Sequence, residues 1–146
     1  MTVVVDANLL ASQVLPLPHG DLAIRRLRLW QLDDEEMIAP TLLEYELATI
    51  MRKALLQGWL SDTPSAVDTL RRVLRTGPRL IAPDDELDRE ALVWAQRIGQ
   101  NKADDAQYLA LAVRENATLW TLDRRLARGA EQAGLRRVQW LGDWKP

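Results

Sequence analysis

The stretch TVVVDA, residues 2–7, is an unbroken β-branched run closed by Asp6. A strand with one wet face alternates apolar and polar residues, whereas a continuous run fits a strand covered on both faces, as in a parallel sheet. Further β-rich runs follow at MIAPT (37–41), RLIAP (79–83), TLWTLD (118–123) and RRVQWLG (136–142). Between them lie stretches of helical periodicity at 20–32, 41–57, 63–75, 85–98, 104–115 and 124–133. Gly58, Gly77, Gly99 and Gly134 stand where four of these should stop. Parallel neighbours need a crossover connection, usually a helix packed on the sheet, so this alternation admits few folds. The expected architecture is α/β: a three-layer α/β/α sandwich with a mostly parallel central sheet of about five strands. Residues 1–146 read as a single domain, without linker, repeat or low-complexity tract.

Length and composition agree with that expectation. A chain of 146 residues can bury a real core. Apolar residues make up 47% and charged residues 27%, as in an ordinary soluble protein. Cysteine is absent, which excludes disulfides and thiolate metal sites and suits a reducing interior. The opening MTVVVDANLL lacks a basic segment and is interrupted by Asp6, so no signal peptide is expected. No apolar run reaches the ~18 residues of a membrane span. The expected location is the cytoplasm, with no membrane partner.

The net charge of −2 gives no general reason to bind nucleic acid. All but three of the 19 basic residues are arginine, however, and they cluster at 25–28, 71–75, 124–128 and 136–137. The arginine fork matches phosphate bidentately, so each cluster reads either as a phosphate-binding stripe or as a solvated helix face.

In a parallel sheet, ligands bind beyond the carboxyl ends of the strands, where the strand order reverses. Acids recur at those places. Asp6 and Asp123 end strands, Asp104 and Asp105 open a helix, and Glu44 and Glu46 lie in the first turns of another. At ~100° per residue, Glu44 and Glu46 point roughly 200° apart and cannot serve one small site together. Taken singly, each acid also suits a helix start. Thr41 and Glu44 have the spacing of a capping box, Asp104 could cap a helix beginning at Asp105, and Asp123 one beginning at Arg124. Taken together, carboxylates drawn to one sheet edge would repel. Two charges ~4 Å apart cost roughly 4 kcal/mol at an effective dielectric of 20. A divalent cation would remove that cost. With no cysteine, and His19 the lone histidine in a loop that reads as surface, oxygen ligation favours Mg²⁺ or Mn²⁺. Such a site suits metal-assisted phosphoryl chemistry.

These segments resemble the PIN domain ribonucleases, specifically the VapC-type toxins of type II toxin–antitoxin pairs. VVVDANLL, APTLLEYELATIMRKALLQGWLS (39–61), DDAQYLALA and LWTLDRRLARGA carry the likeness, in family order and over nearly the whole chain. The resemblance separates the doublets. The family frame fits Glu46-Leu-Ala-Thr-Ile-Met-Arg52, which leaves Glu44 to the capping box. The family aspartate directly precedes alanine, which selects Asp105 and leaves Asp104 as a cap or an additional acid.

The resemblance implies that Asp6, Glu46, Asp105 and Asp123 form a catalytic pocket holding one or two Mg²⁺ or Mn²⁺ ions. Asp6, Asp105 and Asp123 would be the metal ligands, and Glu46 would orient water or act as base. Asn8 and Thr121 would support the site. The implied reaction is hydrolysis of an RNA phosphodiester, with tRNA or rRNA as the substrate class. Lys102, Arg124, Arg125 and Arg128 flank the acids as candidates for holding the RNA backbone. A homodimer and a small antitoxin that occludes the pocket are the implied partners.

Other classes of function fit less well. A PIN domain without catalysis, serving as an RNA-binding or complex-forming module, would keep the fold, but all four acids are present. A receiver-like phosphoacceptor wants an acid pair after the first strand and a lysine after a late one. The lysines, at 53, 102 and 145, do not meet that pattern. A DNA-cleaving relative would carry extra acids and added helical elements.

Overall fold

The computed structural model describes residues 1–146. Its strands are β1 (Thr2–Val5), β2 (Glu36–Pro40), β3 (Arg79–Ile81), β4 (Thr118–Thr121) and β5 (Val138–Trp140). They lie in the order β3-β2-β1-β4-β5, and every neighbouring pair is parallel. The helices are α1 (Ala7–Ala11), α2 (Gly20–Leu32), α3 (Leu42–Leu56), α4 (Thr63–Thr76), α5 (Asp85–Arg97), α6 (Asp104–Arg114) and α7 (Arg124–Gln132). The expected three-layer sandwich is therefore what forms, with a sheet that is wholly rather than mostly parallel.

Burial explains the sequence pattern. Val4 and Val5 in β1, the central strand, are fully buried, so the run that begins the chain has no solvent face to mark with polar residues. Helix α6 packs across β2, β1 and β4. It buries Ala106 and then every residue from Tyr108 to Ala112, and its alanines let it lie close to the sheet. Gly58 and Gly99 follow α3 and α5 at φ 75° and 70°, the left-handed conformation in which a helix ends without a Cβ penalty.

Two local expectations need correction, and one element goes unforeseen. Helix α1 is not foreseen by periodicity, because five residues are too few to reveal a period. The capping box at Thr41 does not form. Thr41 has helical dihedrals (φ −57°, ψ −23°) instead of an extended cap, and its N–H donates to the Ile81 carbonyl at the end of β3. The donor that Glu44 would have reached is thus taken, and Glu44 pairs instead with Arg71 of α4 at 2.9 Å. Asp104 is not a cap either: α6 begins at Asp104 itself, with Ala103 in the cap position.

Candidate active site

The strand order reverses between β1 and β4, and Asp6 sits in that gap. Its position is set three times over. One carboxylate oxygen accepts from the Leu9 N–H at 2.8 Å, capping α1. The other accepts from the Thr121 hydroxyl and, at 2.9 Å, from the Leu122 N–H. Thr121, fully buried at the end of β4, also accepts from the Asp123 N–H at 2.9 Å. A single hydroxyl thus joins the acid after β1 to the acid after β4. Burial pushes the Asp6 carboxyl above the ordinary aspartate range, the charge of Asp123 adds to that, and the hydrogen bonds from Thr121, Leu9 and Leu122 oppose it.

The helices bring the remaining acids to the same edge. Glu46, in the second turn of α3, has its carboxyl pushed up to about 7, chiefly by burial and further by the charges of Asp6, Asp105 and Asp104. The buried Tyr108 hydroxyl lies close enough to Glu46 to pull the other way, yet closes no hydrogen bond of normal length. Asp105 accepts from the Gln100 side-chain amide at 3.0 Å through one oxygen. Asp123 caps α7 through one oxygen, accepting from the Leu126 N–H at 3.1 Å. Capping and site-building are therefore compatible roles at Asp6 and Asp123. Glu44 stands apart from this group, in its pair with Arg71.

The chemistry of this donor set fits a hard divalent cation. All the candidate ligands are oxygens, and Asp105 and Asp123 each keep one carboxylate oxygen outside any protein hydrogen bond. Four helices, α1, α3, α6 and α7, begin at this edge, and their positive ends offset part of the crowded negative charge. As the side chains stand, no three of the acids enclose a common point that an ion could fill. The fit therefore rests on donor chemistry and mutual repulsion.

The flanking residues divide. Lys102 lines a cavity of about 340 Å³ with Gln100, Asn101, Asp104 and Asp105, directly beside the acids. Arg124 lies over the Trp140 ring at 5.1 Å without a carboxylate partner, and Arg125 is exposed without an ion pair. Arg128 is committed within the chain, to Asp143 at 2.6 Å and Glu131 at 3.3 Å. Asn8 is exposed on α1 and shares a small cavity with Leu122 and His19. His19, read from sequence as a surface residue, is exposed and lies against the Trp140 ring at 5.4 Å, the same ring that Arg124 covers. Tyr108, present in the DDAQYLALA likeness, and Gln100 carry no site role in the sequence-based expectation, because a tyrosine in an apolar helix reads as core and a loop glutamine carries no pattern.

Several solved structures resemble this fold. PAE2754 from Pyrobaculum aerophilum is 25% identical, with a TM-score of 0.61 over 88% of this chain and 79% of that one. VapBC2 from Rickettsia felis, solved with a DNA fragment from its promoter, is 15% identical, with a TM-score of 0.70 over 95% and 98% of the two chains. VapC20 from Mycobacterium tuberculosis, described as a sarcin–ricin loop cleaving toxin, is 18% identical, with a TM-score of 0.65 over 94% and 98%. Among curated proteins none is similar enough in sequence to match. No helix is long and apolar enough to cross a membrane. The PIN domain family model, however, matches residues 4–141, from the strand before Asp6 to the turn after β5, and the chain belongs to the PIN domain family.

Proposed function

We propose that this PIN domain is a metal-dependent endoribonuclease, the toxin of a VapBC-type toxin–antitoxin pair. The observation that carries the reading is the crowding of Asp6, Glu46, Asp105 and Asp123 at the strand-order reversal, where burial and like charge raise Asp6 and Glu46. A fold that only needed stability would replace such a cluster with neutral groups, so its presence argues for a cationic ligand. Asp6, Asp105 and Asp123 would hold Mg²⁺ or Mn²⁺. The bound cation supplies charge neutralisation at the phosphate and activation of water.

The chain's own residues then have distinct tasks. Thr121 and the Leu9 and Leu122 N–H groups fix Asp6 in one rotamer. Glu46, with a carboxyl near neutrality, is suited to hold or accept a proton from water at the scissile phosphate. Lys102, Arg124 and Arg125 are the cations open to the RNA backbone, whereas Arg128 serves the fold. The toxin–antitoxin assignment is supported by the likeness to VapBC2 and VapC20. It carries with it an antitoxin partner, a tRNA or rRNA substrate, a homodimer and a cytoplasmic setting.

The test is RNA cleavage by antitoxin-free protein with Mg²⁺ or Mn²⁺. Cleavage should disappear in EDTA and in Asp6→Ala and Asp105→Ala. Absence of cleavage of any cellular RNA with either metal would leave a complex-forming PIN module as the better reading.

A further inference from the structure

A second cavity, of about 270 Å³, opens beside the acids between the start of α3, the loop after β3, and α6. Its walls include Tyr45, Pro83 and Leu87, and its polar residues are Thr41 at the start of α3 and, one turn apart on α6, Asp104 and Gln107. Asp104 also lines the cavity that holds Asp105 and Lys102, so the two spaces adjoin. Tyr45 is 75% exposed although it is large and apolar, and it immediately precedes Glu46 on α3. Neither Tyr45 nor Gln107 makes a side-chain hydrogen bond within the chain, and packing does not account for the exposed ring.

We infer that this cavity is a subsite for one nucleobase of single-stranded RNA, stacked on Tyr45 and read at its edge by Asp104 and Gln107. This deepens the nuclease reading and rests on it for the choice of RNA. Three features select a base over other occupants. The volume falls just below the ~300 Å³ at which pockets for drug-sized ligands begin, so it suits a single flat ring. An exposed aromatic side chain beside a phosphate-directed site is the usual platform for an unpaired base. The edge chemistry is paired: the Asp104 carboxylate accepts from an exocyclic amine, and the Gln107 amide both donates and accepts. Adenine, guanine and cytosine carry such an amine and uracil does not, so uracil should occupy the site most weakly.

The chain has only two tyrosines, Tyr45 exposed and Tyr108 buried, which gives a clean probe. Protein labelled at tyrosine would be titrated with AMP, GMP, CMP and UMP and followed by NMR. The Tyr45 ring signals should move upfield saturably and those of Tyr108 should not, with UMP the weakest ligand. Gln107→Ala should weaken AMP binding several-fold. Tyr45→Ala should lower kcat/KM for an oligoribonucleotide by roughly tenfold or more, with little effect when the base at that position is abasic. The subsite is overturned if no nucleotide moves Tyr45, or if ribose 5-phosphate moves it equally. It is equally overturned if the ring becomes shielded with protein concentration alone, which would make the groove a protein interface. The two readings fail separately. Cleavage of RNA without a Tyr45 response removes only the subsite, and a Tyr45 response without any cleavage removes only the nuclease.

Discussion

Glu44 and Glu46 differ by two positions in sequence and by everything in environment. Glu46 is half-buried among Asp6, Asp105 and Asp104, with a carboxyl near 7. Glu44 is an exposed partner of Arg71. Glu46→Gln should therefore abolish or sharply reduce cleavage while raising the melting temperature of the metal-free protein at pH 8, where the wild-type carboxylate is ionised against its neighbours. At pH 5 the wild-type side chain is protonated, and the difference should vanish. Calorimetry in EDTA at the two pH values checks this; a variant less stable than wild type at pH 8 would mean that Glu46 is structurally required as an anion. Glu44→Gln should keep full activity and lose less than about 1 kcal/mol, the value of an exposed ion pair. Sequence alone separated these two by helical phase and family frame. The fate of Glu44 was illegible, because its partner Arg71 lies on another helix and the N–H it would have capped is claimed by β3.

At the scale of elements, the site depends on how β1 and β4 are tied together. The Thr121 hydroxyl donates to Asp6 and accepts from the Asp123 N–H, and both Thr121 and Asp6 are buried away from water. Thr121→Val keeps the shape and deletes both bonds, so it should cost about 1–3 kcal/mol and weaken Mn²⁺ binding. Thr121→Ser should restore most of both. Denaturant unfolding and isothermal titration with Mn²⁺ measure the two effects; equal Mn²⁺ affinity in the valine variant would show that the bridge serves the fold alone. The elements themselves were readable from periodicity, since strands buried on both faces and helices of ten or more residues leave clear patterns. Helix α1 did not, being a single turn and a half held by the same Asp6 that belongs to the site. The tryptophans were equally opaque, because their role is tertiary. Trp30, Trp120 and Trp144 surround the Arg26 guanidinium at 5.1, 4.5 and 5.2 Å, and Trp140 carries Arg124. Part of the arginine excess that suggested phosphate binding, Arg26 and Arg128 among it, is thus spent inside the fold, while Arg124 stays exposed.

For the whole molecule, the crowded acids set how stability responds to pH and to metal. Asp6 and Glu46 have carboxyls raised above their unfolded values, Glu46 from 4.5 to about 7. Such groups favour the folded state when protonated, so their contribution is complete below the unfolded pKa and is lost as pH rises through the folded one. The surface carboxylates Glu36, Asp62 and Asp84 are shifted downward, and their contributions are lost only at lower pH, below the ordinary carboxylate range. Between about pH 4.5 and 7 the metal-free protein should therefore become less stable as pH rises. A bound divalent cation favours the ionised carboxylates and competes with the protons, so the stabilisation it confers should run the opposite way. The increase in melting temperature on adding Mn²⁺ should be small at pH 5.5 and several times larger at pH 8. It should shrink in Asp105→Asn, which removes the charge of a proposed ligand at a partly buried position, and persist in Glu44→Gln. A Mn²⁺ effect that is independent of pH, or that is the same in Asp105→Asn as in wild type, would place the ion away from these four acids.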